Sequence, residues 1–250
     1  NASSAFLPYL LAAYSSAPSS FKTATLDTAI SYLSTWNYSM NADLIAPTIW
    51  RAWWEYYLKD VFNDEYENAS ISHLSRPSSI ILENLTRYNP NSHWFDNITT
   101  PTIETRDNIT LSSFSRAINA LIDLAGTDIT KWKWGTFHYL QFSHQIGGAL
   151  GFGPYPGSGD SVTLNPSGCN MWERENGAAG HGASERMIVD FNNVTFAISC
   201  IPGGQSGNPL SSHYSDQLHQ LFLTGKYHID YLYSDKALLT DVESTLFITG

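Results

Sequence analysis

The sequence predicts an α+β fold, with helices in the first half and antiparallel strands in the second. Up to about residue 130, apolar residues recur at the three- and four-residue spacing of amphipathic helices. After residue 131, glycine becomes dense and short segments alternate between apolar and polar residues, as strands do. No internal repeat or clear boundary is present, so we expect one structural unit made of a helical segment, 1–130, and a strand-rich part, 131–250.

The opening stretch, NASSAFLPYLLAAYSSA, is apolar enough to resemble a signal peptide. It lacks an initiator Met and a basic leading segment, and Pro8 interrupts its apolar run. We therefore predict a helix here, in a chain that starts within a longer protein. A second helix is predicted over 22–36, where Leu26, Ala29 and Leu33 share one face.

A third helix is predicted over 43–62, behind Asp43, which is a suitable N-cap residue. This segment carries a row of aromatic side chains at helical spacing: Trp50, Trp53, Trp54 and Tyr57. Such a row can form a ligand platform, but packing in a hydrophobic core is the commoner role of large aromatic side chains. We therefore expect these residues in the core.

The segment 63–110 is polar and contains three prolines. We interpret it as an extended excursion that carries glycans, with one short helix near 77–87. A further helix is predicted over 113–125, and Gly126 is expected to end it.

Alternating residues predict the strands of the second half. SVTLNP (161–166) is a short candidate, and 184–191 is expected to pair with 194–202 as an antiparallel hairpin. Asn192 and Asn193 fit a two-residue turn between them because Asn tolerates positive φ. A final helix is predicted over 213–224.

Charge excludes several partners. Charged residues make up only 14% of the sequence, the net charge is −10 and no basic run occurs, which argues against nucleic acid and anionic membranes. No run of 18 apolar residues is present, so no transmembrane helix is predicted. Sparse charge also limits self-repulsion at low pH, so we expect an acidic environment.

Glycosylation motifs indicate the compartment. Asn-x-Ser/Thr triplets in which x is not Pro occur at seven positions: Asn1, Asn37, Asn68, Asn84, Asn97, Asn108 and Asn193. This number exceeds the few expected by chance and predicts an exported, extracellular or cell-surface protein that carries N-glycans. Cys169 and Cys200 are the two cysteines of the chain, and in an exported protein we expect them to form a disulfide.

The stretch CIPGGQSGNPLSSHYSDQ (200–217) is dense in glycine, serine and polar residues. It lacks the Lys of a phosphate-binding loop, so phosphate binding is disfavoured. GQSGN differs from the GxSxG nucleophile motif at its last position, yet Ser206 with His213 as its base stays open as a hydrolase hypothesis.

The histidines do not show metal-site spacing. His181, His213, His219 and His228 form no HxxxH pair, and no CxxC occurs. His138 and His144 are six residues apart, on opposite faces of any helix. We expect single surface or hydrogen-bonded histidines, and no metal or cofactor.

Four ordered blocks resemble the penicillin acylase family of N-terminal-nucleophile hydrolases, which includes acyl-homoserine lactone acylases. They are WKWGTFHYLQFSHQIG (132–147), GPYPGSGDSVTLNP (153–166), HGASERMIVDF (181–191) and IPGGQSGNPLSSHYSDQLHQLFLTGKY (201–227). Ser212 departs from the usual Pro, and the cysteine pair is not a family hallmark. The structural signature residues that carry the resemblance are Ser184, Arg186, Gly203, Gly204, Gln205, Ser206, Asn208 and Asp216.

This resemblance implies a fold and a partner. The family has a four-layer αββα sandwich, and this chain resembles the C-terminal half of its β chain. The catalytic N-terminal Ser, exposed when a precursor cleaves itself, lies outside that half, so no catalytic residue is carried over to this chain. The N-terminal part of the same precursor, comprising the α chain and the first half of the β chain, is the expected companion.

The function implied is hydrolysis of amides of acylated small molecules, such as penicillin G-type antibiotics or acyl-homoserine lactones. This chain alone is expected to be inactive. The alternative is a non-catalytic cell-surface or structural protein derived from the acylase fold.

Overall fold

A computed structural model describes residues 2–69, 79–144, 146–172, 181–231 and 246–248. The chain divides into two compact units. The first comprises Asn1–Gln141 and Gly153–His181, and the second comprises Phe142–Phe152 and Gly182–Gly250. The predicted α+β class is confirmed, because α-helices lie in the first unit and small antiparallel sheets are present.

The described α-helices belong to the first unit. They are α1 (Ala2–Ser16), α2 (Ala24–Ser34), α3 (Ala46–Asn68), α4 (Ser79–Tyr88), α5 (Arg106–Ala125) and the single turn α6 (Trp134–Phe137). Helix α5 packs against α3 and α1, and α2 packs against α3. The predicted helix at the start of the chain is confirmed, and Phe6, Leu7 and Leu10 of α1 are buried.

Helix α3 begins differently from the prediction. Ile45, and not Asp43, occupies the N-cap position, without a capping side chain, and Pro47 follows in the first turn. Proline suits that place because its φ is already helical and its missing N–H has no helical partner there. The carboxylate of Asp43 is therefore not needed to start the helix.

The aromatic row of α3 lies in the core, as predicted. Trp53 is 1% exposed and Tyr57 is fully buried. Their rings stack with centroids 5.1 Å apart, and the indole N–H of Trp53 donates to Ser113 Oγ of α5 over 3.1 Å. The polar edge of the indole is thus satisfied inside the core, as burial of Trp requires.

Helix α5 starts seven residues before the predicted point and ends where predicted. Asn108 Oδ1 accepts hydrogen bonds from the N–H and the hydroxyl of Thr105, at 3.0 and 2.7 Å, which fixes the first turn. At the other end Gly126 has φ +83°, and its N–H donates to the Ile122 carbonyl. Glycine adopts this left-handed backbone without steric cost.

A buried ion network ties helix α3 to the loop after residue 156. Arg51 Nη1 lies 3.1 Å from Asp160 Oδ1, and Arg51 Nε lies 3.0 Å from Glu55 Oε1. Trp172 Nε1 donates to the other oxygen of Glu55 over 2.7 Å. Burial lowers the pKa of Arg51, but the two carboxylates outweigh burial and the net shift is upward.

Short strands accompany these helices. Strand β1 (Tyr139–Phe142) pairs with β2 (Phe152–Pro156), and β3 (Ser167–Gly168) pairs with β4 (His181–Gly182). The strand predicted over 161–166 is wrong. The Thr163 hydroxyl donates to the carbonyls of Asp160 and Asn165, at 2.9 and 2.8 Å, and this local bonding folds the segment into a bend.

The second unit contains a three-stranded antiparallel sheet in the order β5 (Arg186–Val189), β6 (Phe196–Cys200) and β7 (His228–Tyr231). The predicted pairing of its first two strands is confirmed. The two-residue turn is wrong, because the chain makes two successive turns: Asn193 N–H donates to Asp190 O, and Phe196 N–H donates to Asn193 O.

The helix predicted over 213–224 is shorter than predicted, with helical residues at 216–222. Residues 203–215 form turns and bends, and a short π-helix covers Leu218–Phe222. Gly225 follows with φ +69°. None of the described helices is long and apolar enough to cross a bilayer.

The predicted disulfide between Cys169 and Cys200 is not formed, since both residues are free thiols. Cys169 belongs to the first unit, where its Sγ lies 3.7 Å from the carbonyl oxygen of Phe137. Burial raises the pKa of Cys169 to about 12. Cys200 is buried on β6 in the second unit, where burial raises the pKa of its thiol and Arg186 opposes the shift. Each thiol is packed within its own unit.

Candidate functional site

The loop that follows β6 in the second unit holds most of the signature residues. Its two ends are joined, because Leu218 N–H donates to the Gly203 carbonyl over 2.8 Å and Ile201 N–H donates to Gln217 Oε1 over 3.1 Å. We call residues 203–217 the signature loop. These two hydrogen bonds close the loop at its base.

Gly204 allows the tightest approach in the signature loop. A Cβ at this position would overlap the carbonyl oxygen of His213 and would lie 2.7 Å from Asp216 Oδ1. A Cβ on Gly203 would meet nothing within 4 Å. Only the second glycine of the GG pair is therefore required by packing.

Ser206 serves the loop backbone. Its N–H donates to the His213 carbonyl over 3.1 Å, and its Oγ accepts from the N–H of Asn208 over 3.1 Å. Asn208 Oδ1 in turn accepts from the N–H of Leu210 over 3.0 Å. These contacts stabilise successive turns of the backbone, which is a structural role.

The imidazole of His213 is held by a carboxylate. His213 Nδ1 lies 2.9 Å from Asp216 Oδ2, while Asp216 Oδ1 accepts from the N–H of Gln217 over 2.9 Å. The carboxylate thus binds the ring through one oxygen and the chain through the other. The structure brings His213 and Asp216 together, and it places Ser206 beside the backbone carbonyl of His213.

A cavity of about 880 Å³ opens beside the signature loop within the second unit. It is lined mainly by amide, hydroxyl, imidazole and carboxylate groups, namely those of Gln205, Ser206, Ser211, His213, Asp216, Gln217, Gln220 and His228, together with Leu221. Such a lining offers many hydrogen-bond donors and acceptors, and its imidazoles can carry protons between groups. We take this cavity and the signature loop as the candidate functional site.

Arg186 anchors the sheet to the end of the π-helix. Its guanidinium lies 3.7 Å from the ring centroid of Phe222, and its Nη1 donates to the Phe222 carbonyl over 2.8 Å. Arg186 pairs with Cys200 across the strands. Of the remaining signature residues, Ser184 and Gln205 are exposed.

Within the described ranges, no group of three His, Cys, Asp or Glu side chains is arranged to hold a metal ion. His138 is a hydrogen-bonded core residue, with both ring nitrogens bonded to backbone carbonyls. His219 is exposed, with its ring 6.1 Å from that of Phe152.

Most of the predicted glycosylation positions are exposed, namely Asn37, Asn68, Asn84, Asn108 and Asn193. Asn97 is half-buried, and its Oδ1 accepts from the Thr99 hydroxyl over 2.6 Å. Asn108 is used in the cap of α5. Asn1 lies outside the described residues.

Strand β7 was not predicted from the sequence. The position of His228 at the edge of the sheet was therefore missed. We considered His228 only as a metal ligand, whereas it lines the cavity from the edge of the sheet. The short segment HIDY (228–231) alternates between polar and apolar residues, and this was the available signal.

Comparisons with known proteins show which sequences this chain resembles. The sequence model of a family described as penicillin amidase matches residues 2–238. Three curated relatives bear the name acyl-homoserine lactone acylase QuiP. The protein of Pseudomonas syringae pv. syringae (strain B728a) is 30% identical over 174 residues, which cover 64% of this chain and 21% of the relative. That of Pseudomonas aeruginosa is 30% identical over 59% of this chain and 20% of the relative.

The third relative, from Pseudomonas putida, is 34% identical over 52% of this chain and 16% of its own length. The chain therefore spans about a fifth or less of the curated relatives that it matches.

Proposed function

Because this chain belongs to the penicillin amidase family, we propose that it is part of an exported amidohydrolase that cleaves the amide bond of acylated small molecules. The observation that carries this proposal is the family match over residues 2–238. The signature loop supports it, because residues that carry the family resemblance make its internal contacts. These residues are Gly204, Ser206, Asn208 and Asp216.

The nucleophile of the proposed enzyme is an N-terminal Ser on another segment of the same precursor. Its hydroxyl adds to the amide carbonyl, its own α-amino group takes the proton, and the leaving amine receives that proton as the C–N bond breaks. Water then releases the acid. In this scheme the 250-residue chain supplies no residue that catalyses amide hydrolysis and does not hydrolyse amides alone.

The names of the relatives and of the family indicate a class of substrate. Their name specifies an acyl-homoserine lactone as substrate, and the family description specifies penicillin. In both compounds an acyl group is attached to the amino substituent of a small lactone or lactam ring. We propose that the substrate is an acylated small molecule of this kind.

The proposed companion is the remainder of the precursor, with which this chain completes a four-layer αββα sandwich. The sheet of the second unit supports this proposal. Ile188, Ile198 and Ile229 lie opposite one another across the three strands, and Ile188 and Ile229 are 54% and 40% exposed. A row of exposed isoleucines on a sheet calls for a covering layer.

Export and glycosylation are part of the proposal. Five of the predicted glycosylation positions present exposed Asn side chains, which suits modification at the surface of a secreted protein. Treatment of the native protein with an N-glycosidase should lower its mass. An unchanged mass would contradict the glycoprotein proposal without affecting the enzymatic one.

The decisive experiment uses the longer protein that the gene encodes, expressed with its export signal. We expect it to cleave itself and to release amine from penicillin G or from an N-acyl-homoserine lactone, measured with an amine-reactive dye. Replacing the Ser at the processing junction by Ala should abolish both events. A protein that neither processes itself nor hydrolyses either probe would favour the non-catalytic alternative.

A further inference from the structure

A serine, a histidine and an aspartate are aligned on two neighbouring strands of the second unit. Ser199 on β6 lies directly opposite His228 on β7. Ser199 Oγ is 3.5 Å from His228 Nε2, and His228 Nδ1 is 3.2 Å from Asp230 Oδ1. The order of contacts is hydroxyl to imidazole to carboxylate.

The backbone register imposes this alignment. Directly opposed residues of an antiparallel pair point to the same face, and so do residues two apart on one strand. Ser199 and His228 are opposed, and Asp230 is two residues after His228, so the three side chains share one face. The alignment thus depends on strand pairing and not on one chance rotamer.

The carboxylate is directed at the imidazole. Asp230 Oδ2 is buried and has no hydrogen-bond partner, while Oδ1 faces His228 Nδ1. His228 Nδ1 also lies 3.5 Å from the Ile229 carbonyl oxygen. Both neighbouring oxygens only accept, so they favour the proton on Nδ1 and leave the lone pair at Nε2 facing the serine hydroxyl. In unliganded sites such hydrogen bonds are often long and shorten when a substrate is bound.

The alignment borders the cavity of the second unit. His228 is one of its lining residues, and Ser199 is 7% exposed. Ser206 of the same unit is engaged differently, since its hydroxyl accepts from the N–H of Asn208. Of these two serines, the one that pairs with an imidazole nitrogen is therefore Ser199, and not the serine of the GQSGN motif.

We propose that Ser199, His228 and Asp230 form a second nucleophilic site, which accepts the acyl group of small activated esters. Ser199 Oγ forms a bond to the ester carbonyl carbon while His228 Nε2 takes the hydroxyl proton. The C–O bond to the leaving group then breaks, and the leaving oxygen receives that proton. Water attacks the resulting acyl-serine, a proton returns through His228, and the carboxylic acid leaves with the serine regenerated.

The test uses the 250-residue chain with p-nitrophenyl acetate and with a fluorophosphonate probe, followed by peptide mass spectrometry. We expect the probe on Ser199 and no probe on Ser199→Ala. His228→Gln should slow p-nitrophenol release about 100-fold, the size of a general-base contribution. Ser20→Ala, at an exposed position of the first unit, should react like the unchanged chain.

Circular dichroism and thermal unfolding establish that each variant is folded. Probe on Ser206, or no labelled serine in the folded chain, would overturn the proposal. So would equal rates for the unchanged chain and a folded His228→Gln variant. The proposal is independent of the amidase function: in the longer protein, Ser199→Ala should leave amide hydrolysis by the N-terminal Ser in place.

Discussion

The imidazole Nε2 of His138 lies 2.8 Å from the carbonyl oxygen of Ser167. The other ring nitrogen lies 2.8 Å from the carbonyl oxygen of Gly157, and the ring is fully buried against Trp134, with centroids 4.8 Å apart. Carbonyl oxygens only accept, so a ring nitrogen can bond to either of them only as a donor. One side chain thus fastens two loops of the first unit to the turn α6.

Replacement of His138 by Phe should destabilise the chain by roughly 1–3 kcal/mol, because it keeps a ring in place but removes the imidazole donor that faces these buried carbonyls. Urea unfolding followed by tryptophan fluorescence measures this loss. His93→Phe is the matched control, since His93 is exposed and its replacement should be nearly neutral. Equal stability of the two variants would contradict the structural role of His138.

Replacement of Asp160 by Asn should cost about 3–5 kcal/mol, because it leaves the charge of the largely buried Arg51 without its main partner. Adding Arg51→Met should recover part of the loss, and the double-mutant cycle gives the coupling between the two residues. The exposed pair Arg87–Glu83 serves as the control. Breaking that pair should cost at most about 1 kcal/mol.

Replacement of Gly204 by Ala should destabilise the signature loop by about 1–3 kcal/mol or more, because the new methyl group overlaps the His213 carbonyl. Gly203→Ala should be tolerated, since its methyl group meets nothing within 4 Å. Thermal unfolding and hydrogen exchange of the Leu218 amide, which donates to Gly203, report on the loop. A reversed order of the two variants would refute the described loop geometry.

Glu65 should make stability depend on pH. Burial raises the pKa of Glu65 to about 7, from an ordinary value of 4.5, and the neighbouring Asp64 carboxylate adds to the shift. The folded chain then binds more protons than the unfolded chain between these two values, so stability falls as the pH rises through this window. This direction suits the expected acidic environment.

Glu65→Gln should remove that part of the pH dependence and stabilise the chain at and above neutral pH. Urea unfolding at about pH 4.5 and about pH 8 measures the difference between the two proteins. Glu67→Gln, at a neighbouring exposed position, is the control and should keep the pH profile of the unchanged chain. An identical profile for Glu65→Gln would show that this carboxyl group ionises normally.

The two cysteines should behave as unreactive free thiols. Burial raises the pKa of both thiols, to about 12 for Cys169, so little thiolate is available to react. We expect slow reaction with a thiol-specific dye in the folded chain and two equivalents after denaturation without reductant. If the thiols react with the dye only after reduction, the disulfide predicted from the sequence is present.

Much of the helical half was predictable because its signals are local. The apolar spacing of α1, α2 and α5 identifies each helix, and Gly126 marks the end of α5 where the structure has it. The start of α3 was not predictable from Asp43, because a capping side chain competes with other ways to begin a helix. Proline in the first turn was sufficient there.

The second half depends more on contacts between distant residues. The pairing of β5 with β6 follows from alternating residues close in sequence, but β7 joins them from 28 or more residues away. The hydroxyl of Thr163 was also decisive, since it turned a segment with strand-like alternation into a bend. Side-chain bonding of this kind overrides a weak periodic signal.

The sequence by itself determined the family, the α+β class and the position of the signature loop, because ordered motifs and local periodicity are carried by neighbouring residues. Only the tertiary structure decided which serine faces an imidazole, that both thiols are free, and that His138 binds two carbonyls. These three features depend on distances between segments that are far apart along the chain. Strand register and close packing set them, and no short stretch of sequence contains that information.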